Sequence, residues 1–184
     1  MATASCGNKE VSEEATEVVE TVEETTEETV EAVEEIDRII RRLPGIRCLI
    51  SGATPSSKVK RIVENNSQLT LNGWTEDIRE AYTRGRIFFA PMMIGTGMQN
   101  KLLEAMALGI PCVTTPLAGN AVQGIHQETL LIGSTTDELI SCIQFLLENP
   151  TNAESIAKKG SQFVSSKFSW EGSVQQLEQL FLAK

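Results

Sequence analysis

Short apolar runs alternate with segments of helical spacing along most of this chain. Glycine or proline bounds most of the runs, and they lack the regular polar alternation of a half-exposed strand, so they predict buried strands. The segments between them carry apolar residues three and four positions apart, as amphipathic helices do. The pattern predicts an α/β fold with a Rossmann-like parallel sheet and helices on both faces. The predicted strands are 46–52, 69–73, 86–91, 111–115 and 129–133, and the predicted helices are 56–65, 75–82, 97–108, 137–148, 152–168 and 170–183.

Charge is distributed unevenly along the chain. Residues 1–37 contain thirteen acidic side chains and one lysine, whereas the remaining residues contain 12 acidic and 15 basic side chains. The acidic excess therefore belongs to the amino-terminal segment, and the rest of the chain is mildly basic, which suits a small molecule that carries phosphate. The basic residues are scattered and do not interleave with aromatic residues, so no nucleic acid is expected as a partner.

The cysteine and histidine content predicts no metal site. The four cysteines form no C-x-x-C pair, and the single histidine, His126, lies among Gly, Asn and Gln as a surface loop residue would. We expect buried, reduced thiols, as is usual in the cytoplasm. The longest apolar run, 87–94, is far shorter than the roughly 18 residues that a membrane-spanning helix needs. A cytoplasmic protein without a transmembrane segment is expected.

The acidic amino-terminal segment has a helical period of its own. We predict a long acidic helix from Ala15 to Leu43, although its repeated Glu pairs four residues apart each destabilise a helix by about 0.2–0.5 kcal/mol. Two interpretations stay open: a solvated helix without a partner, and an arm that associates weakly with itself or docks on a basic partner. The predicted domains are an acidic, helical or disordered appendage at 1–34 and a Rossmann-like domain at 35–184. The predicted helical stripe is Val18, Val22, Thr25, Thr29, Ala32, Ile36, Ile39 and Leu43.

A candidate binding site lies in the loops that follow the predicted strands, because the carboxyl ends of parallel strands share one edge. Gly95, Thr96 and Gly97 let the backbone approach a ligand and then open a helix, whose amino end favours an anion. Lys101 adds a positive charge, and the carboxylate of Glu104 can accept hydrogen bonds from the two vicinal hydroxyls of a ribose. Phosphate and ribose together indicate a nucleotide. The plainer alternatives are a tight turn at the glycines and ordinary surface charges at Lys101 and Glu104.

A family resemblance covers about residues 36–184. The run APMMIGTGMQNKLLEAMALGIPCVTTP at 90–116 resembles the signature of nucleotide-sugar-dependent glycosyltransferases of the GT-B fold, which has two Rossmann-like domains. It is similar to the bacterial family 4 and family 1-like members. The stretches at 43–55, 71–82, 145–150 and 168–170 agree with this resemblance.

The resemblance implies the carboxyl-terminal, donor-binding half of such an enzyme, which transfers a sugar from a nucleoside-diphosphate sugar to an acceptor. The nucleotide sugar is then a substrate, and no separate cofactor is implied. By position, Glu104 would hold the ribose hydroxyls, Trp74 would lie near the base, and Gly97, Met98 and Gln99 would offer backbone amides to the diphosphate or sugar. Thr96 stands where many members have a glutamate that contacts the transferred sugar. No catalytic residue is assigned.

Two parts of the family pattern are expected to be missing. One is the acceptor-binding domain, so the chain alone is expected to bind a donor at most. The other is the first strand of the donor-binding domain, which leaves strands 46–52 and 86–91 to pair directly or leaves the sheet with a defect. The alternative function is a non-catalytic interaction protein that uses its acidic amphipathic helix.

Overall fold

The computed structural model describes residues 16–22, 27–94 and 98–169, together with Val174, Glu178 and Phe181. The described part is an α/β domain in which strands and helices alternate. In chain order its elements are β1 (Thr16–Val22), α1 (Glu27–Ile40), β2 (Ile46–Gly52), α2 (Ser57–Glu64), β3 (Leu69–Asn72), α3 (Ile78–Arg84), β4 (Ile87–Ala90), α4 (Asn100–Ala107), β5 (Cys112–Thr114), α5 (Pro116–Ala121), β6 (Leu131–Ile132), α6 (Thr136–Glu148) and α7 (Pro150–Lys167).

The six strands form one parallel sheet in the order β3-β2-β1-β4-β5-β6. The chain builds outward from β1 to β3, then returns through α3 to place β4 on the other side of β1. The winding direction therefore reverses between β1 and β4. In sheets of this order, ligands bind at that switch point, beyond the carboxyl ends of the strands. The predicted Rossmann-like parallel sheet is confirmed.

Strand β1 lies at the centre of the sheet, where the sequence analysis expects a missing strand. All seven of its residues pair with β2, from Thr16↔Ile46 to Val22↔Gly52, and its middle pairs with β4 at Val18↔Ile87 and Val19↔Phe88. The expectations of an absent first strand and of direct pairing between its neighbours are therefore wrong. Five of its seven residues are valine or threonine, whose branched side chains favour strands. Ladder bonds to two neighbours add to that preference, whereas a helix here would set glutamates against each other.

The prediction of a long acidic helix is correspondingly wrong in its first half. Among the described residues, helix α1 occupies Glu27–Ile40, and strand β1 stands at Thr16–Val22 where helical turns were predicted. The predicted division between residues 34 and 35 falls inside α1. Residues 1–15 and 23–26 of the predicted appendage, which include Thr25 of the predicted stripe, lie outside the described residues.

The second half of the predicted helical stripe is confirmed as a buried face. Ala32, Ile36, Ile39 and Leu43 are at most 3% exposed, and the last three pack in the core of this same chain. Because Ile36, Ile39 and Leu43 are covered within the domain, this part of the stripe is not available to a second copy. The buried carboxylate of Glu35 accepts a hydrogen bond of 2.6 Å from Thr136 Oγ1, which ties α1 to the start of α6.

Helices cover both faces of the sheet. Strand β4 shows the arrangement, because Ile87 and Phe89 pack into one core cluster while Phe88 and Ala90 pack into the other. The first cluster is covered mainly by α1, α2 and α6, and the second by α3, α4, α5 and α7. Such strands are buried on both faces, which explains their continuous apolar sequence. Helices α3 and α4, on the second face, carry the side chains that matter for the site.

Element boundaries depart from the sequence prediction in a few places. Helix α4 begins at Asn100, three residues after the predicted start, and α5 was not predicted although Pro116 at its first position is a known start signal. Of the predicted helix 170–183 the structure describes Val174, Glu178 and Phe181, all with helical backbone. None of the described helices combines the length and apolar character needed to cross a membrane.

The described cysteines are buried thiols, as predicted. Cys48 and Cys112 lie in β2 and β5, and Cys142 lies on α6. Burial raises the pKa of the Cys112 thiol, and burial together with the charge of Glu138 raises the pKa of Cys142. Both thiols are therefore protonated at neutral pH and are poor nucleophiles.

Candidate functional site

The carboxyl edge of the sheet brings the predicted loops together. Strands β2, β3, β4, β5 and β6 end at Gly52, Asn72, Ala90, Thr114 and Ile132, and because all are parallel these ends share one edge. Polar side chains link neighbouring strand ends there: Asn72 Nδ2 donates to Ser51 Oγ at 3.1 Å. The edge is thus held in place by side chains as well as by the backbone ladder.

Glu104 is an exposed carboxylate on α4, and a buried tyrosine holds it. The hydroxyl of Tyr82, on α3, donates to Glu104 Oε2 at 2.9 Å. The Tyr82 ring is 1% exposed and packs at 5.3 Å, centroid to centroid, against Phe88 of β4. A carboxylate has about four lone-pair sites, so Glu104 keeps acceptor capacity on the solvent side after accepting this bond. The residue predicted to bind ribose is therefore both accessible and oriented.

The amino end of α4 lies above Glu104 at the carboxyl edge. Gln99 is the cap residue and makes no side-chain capping bond, and the first turn contains no acidic residue. The backbone N–H groups and the dipole at such an end favour an anion. Lys101, the second residue of α4, is half-buried in the same turn. Glu104 lies four residues after Asn100, the first residue of the helix, and is therefore about 6 Å from the amino end along the helix axis.

The loop from β4 to α4 is anchored at its base and exposed further along. The buried hydroxyl of Thr114 donates to the Ala90 carbonyl at 2.7 Å, and that of Thr115 donates to the Met92 carbonyl. Met93 is 54% exposed and Met98 is 51% exposed, so neither side chain fills the core. Gly95, Thr96 and Gly97 lie outside the described residues, and their predicted contacts with a ligand stay predictions.

Trp74 lies on the loop that leads from β3 to α3, the helix that carries Tyr82. Its side chain is 74% exposed, so the indole is not part of the core and its faces are open to a ligand. His126 is exposed and its Nδ1 accepts a hydrogen bond of 2.8 Å from the Ile132 N–H, which gives it a structural contact. The prediction of a surface histidine is confirmed.

Tyr82 is the residue near the site that the sequence analysis missed. It is the single tyrosine of the chain, in a helix whose other features are ordinary. A buried tyrosine usually finds a hydrogen-bond partner for its hydroxyl. An expected burial of Tyr82 therefore indicates a polar neighbour, but the sequence does not identify which residue it is. Glu104 is 22 residues away in sequence and becomes its neighbour only when α3 and α4 pack on the same face.

Two cavities lie away from this edge. One of about 220 Å³ lies under the amino ends of β4 and β5 and is lined by residues that include Arg86, Pro111 and Glu154. Another of about 270 Å³ lies beside β6, lined by residues that include His126 and Cys142. Neither cavity includes Glu104 among its lining residues.

Removing the hydroxyl that anchors the β4–α4 loop should destabilise the protein. We expect Thr115→Val to lower the free energy of unfolding by about 1–2 kcal/mol, because the Met92 carbonyl then loses a buried donor while the side-chain volume stays the same. Urea unfolding measures the change. Thr70→Val on the exposed face of β3 is the matched control and should stay within about 0.5 kcal/mol of the unmodified chain. Equal stability of the two variants would contradict the anchoring role.

Comparison with known proteins identifies a family for this fold. Residues 15–149 match the family described as glycosyl transferases group 1. A relative described as "Glycosyltransferase 1 domain-containing protein 1", from Xenopus tropicalis, is 31% identical over 78 residues, which are 42% of this chain and 23% of that protein. The chain therefore spans less than a quarter of that relative in the matched region.

Two solved structures share the fold. Anabaena HepE, crystallised in complex with UDP and glucose, has a TM-score of 0.78 at 13% identity, and the match covers 93% of this chain and 49% of HepE. The C-terminal domain of a glycosyl transferase group 1 family protein, LpcC, from Francisella tularensis has a TM-score of 0.67 at 16% identity, and the match covers 84% of this chain and 87% of that domain. The chain thus corresponds to about half of the first structure and to most of the second.

The family match includes β1 as well as Glu104, so it extends over the central strand and over the helix that carries the candidate ribose-binding residue. The fold is one Rossmann-like half of the GT-B architecture, as predicted. On the extent of the family match, this chain belongs to the glycosyl transferases group 1 family.

Proposed function

We propose that this chain is the donor-binding half of a glycosyltransferase and that it binds a nucleoside-diphosphate sugar at the carboxyl edge of its sheet. The observation that carries the proposal is the oriented carboxylate of Glu104, which is exposed, held by Tyr82 and placed below the uncapped amino end of α4. Membership of the glycosyl transferases group 1 family makes a sugar donor the expected ligand of such an arrangement.

Each part of the donor has a partner of suitable chemistry. The Glu104 carboxylate accepts hydrogen bonds from the two ribose hydroxyls, and the amino end of α4 binds the diphosphate together with Lys101. Trp74 offers an open aromatic face to the base. The loop that includes Gly95, Thr96, Gly97, Met98 and Gln99 is assigned to the diphosphate and the sugar.

The chemistry assigned to this half is stabilisation of the leaving group. In the transfer, the bond between the anomeric carbon and the diphosphate oxygen breaks, and its electron pair leaves with the nucleoside diphosphate. The acceptor oxygen forms the new bond to the anomeric carbon and loses its proton to a base of the acceptor-binding domain or to the departing diphosphate. Negative charge grows on the diphosphate as the bond breaks, so a helix amino end and an ammonium group beside it lower the barrier. We assign the acceptor site to a second domain, since the chain covers about half of HepE.

Thermal unfolding with nucleotides tests the proposal. A ligand that binds only the folded chain stabilises it by about 2.7 kcal/mol at a hundred times its dissociation constant. We expect UDP, GDP or UDP-glucose to raise the melting temperature of the full chain, with EDTA present because no metal is expected to be required. Glu104→Ala should weaken this binding about 100-fold, because two hydrogen bonds to a charged acceptor are lost.

The matched control is Glu154→Ala, which removes an exposed helical glutamate from the opposite edge of the sheet. It should melt and bind like the unmodified chain. A cooperative melt that none of the three nucleotides shifts would contradict the donor-binding assignment. A nucleotide shift that Glu104→Ala leaves unchanged would remove Glu104 from the site.

A further inference from the structure

We infer that Tyr82 is the positioning residue that sets ribose recognition, by fixing the Glu104 carboxylate before the nucleotide arrives. The inference rests on the proposed donor site and adds a residue to it. Its starting point is the 2.9 Å hydrogen bond from the Tyr82 hydroxyl to Glu104 Oε2, which crosses from α3 to α4.

The tyrosine is a rigid donor. Its ring is 1% exposed and packs in the core cluster that also contains Phe88, Leu102 and Met106. The neighbouring Phe88 ring lies at 5.3 Å with an interplanar angle of 57°. Because the surrounding side chains fix the ring, the position of its hydroxyl is fixed relative to the sheet.

The glutamate is the mobile partner that this donor restrains. Glu104 is exposed, and an exposed glutamate on a helix ordinarily samples several rotamers, which it must give up when it binds a ligand. The bond to Tyr82 selects one orientation in the unliganded chain, so less conformational freedom is lost on binding. The bond uses one lone pair of Oε2, and the carboxylate of this exposed side chain keeps further acceptor positions, to which two vicinal hydroxyls can donate.

This arrangement makes a specific prediction about nucleotide preference. If Tyr82 only packed in the core, changing it would lower the affinity for every nucleotide by the same factor. If it orients the acceptor of the ribose hydroxyls, changing it lowers the affinity only for nucleotides that carry those hydroxyls. Tyr82→Phe keeps the buried ring and removes the hydroxyl. We expect its affinity for UDP to fall about tenfold, because the Glu104 carboxylate is no longer held in the orientation that accepts the ribose hydroxyls, while its affinity for 2′,3′-dideoxy-UDP, which has neither hydroxyl, changes little.

Titration calorimetry of the full chain with UDP and with 2′,3′-dideoxy-UDP measures both affinities. The control is Thr83→Ala, which removes a hydroxyl from the same helix that donates to the Arg79 carbonyl and not to α4. This control should keep the ratio of the two affinities. An unchanged ratio in Tyr82→Phe, with Glu104→Ala still impaired, would overturn the role of Tyr82 and leave the donor site intact. If the unmodified chain bound none of UDP, GDP and UDP-glucose, the donor site would be overturned, and this inference with it.

A second measurement needs no change at Tyr82. The chain has one tyrosine, so labelling tyrosine with ¹³C at Cζ gives one signal that reports on its hydroxyl. We expect the signal to move when Glu104 is changed to Ala and when UDP is added to the unmodified chain. In the Glu104→Ala variant, UDP should leave the signal in place. A signal that neither change moves would show that the tyrosine is not coupled to the site.

Discussion

A chain shortened to begin at residue 27 is expected to lose cooperative unfolding. The deletion removes β1, which pairs along its whole length with β2 and through its middle with β4. Without it the sheet is divided at its centre, and two strands that were internal become open edges. Such edges carry unpaired backbone groups and promote aggregation, so we expect a species that exposes hydrophobic surface and has no sharp melting transition.

Circular dichroism during heating and the binding of a hydrophobic dye measure this outcome. A chain shortened by only residues 1–14 keeps β1 and should melt as the full chain does. The point variant Val19→Pro tests the same pairing without deletion, because proline removes a ladder donor between Leu49 and Phe88 and leaves its acceptor unpaired, which should destabilise the chain by about 1–3 kcal/mol. A sharp, unshifted melt of the chain that begins at residue 27 would show that residues 16–22 are an appendage outside the sheet.

The second large effect is expected at Gly160 of α7. A Cβ atom at this position would lie 2.6 Å from the backbone oxygen of Thr129, closer than a carbon can approach without a backbone shift. In an ordinary helix interior, replacing Gly by Ala stabilises by about 1 kcal/mol. Here we expect Gly160→Ala to destabilise by about 1–2 kcal/mol and Gly160→Val by about 3 kcal/mol, because the added carbons overpack the contact between α7 and the segment before β6.

Chemical and thermal unfolding of these variants measure the change. A loss of about 3 kcal/mol corresponds to a fall in the melting temperature of roughly 6–12 °C for a domain of this size. Ser165→Val, exposed on the same helix, is the control for helix propensity and should change stability by about 0.5 kcal/mol. If Gly160→Ala were as stable as the unmodified chain or more so, the close approach of α7 to Thr129 would be refuted.

Most strands and helices could be predicted because each contains its own local signals. The strand β2 is a short apolar run that ends at Gly52, and α3 begins after Asp77, whose side chain accepts a hydrogen bond from the Arg79 N–H as a capping residue does. Strand β1 could not be predicted in the same way. Its valines fit a helical period and a strand equally well, and its glutamates suggest solvent exposure.

The candidate site likewise has a part that local sequence signals predict and a part that depends on contacts between distant segments. The motif around Glu104 pointed to ribose because a carboxylate follows a glycine-rich turn and a lysine at fixed spacing along one segment. The role of Tyr82 depends on two helices packed side by side, and nothing in the spacing of residues 82 and 104 predicts that contact. Similarly, the hydroxyl of Thr115 reaches the Met92 carbonyl because β4 and β5 are neighbours in the sheet.

The sequence by itself determined the alternation of strands and helices after residue 45, the buried stripe of α1 from Thr29 onward and the chemical character of the residues around Glu104. These follow from spacing, caps and side-chain type, which act within a few residues. Only the tertiary structure decided that Thr16–Val22 is the central strand and that Tyr82 orients Glu104. Both depend on hydrogen bonds between segments 22 or more residues apart, which form only once the sheet and its covering helices have assembled.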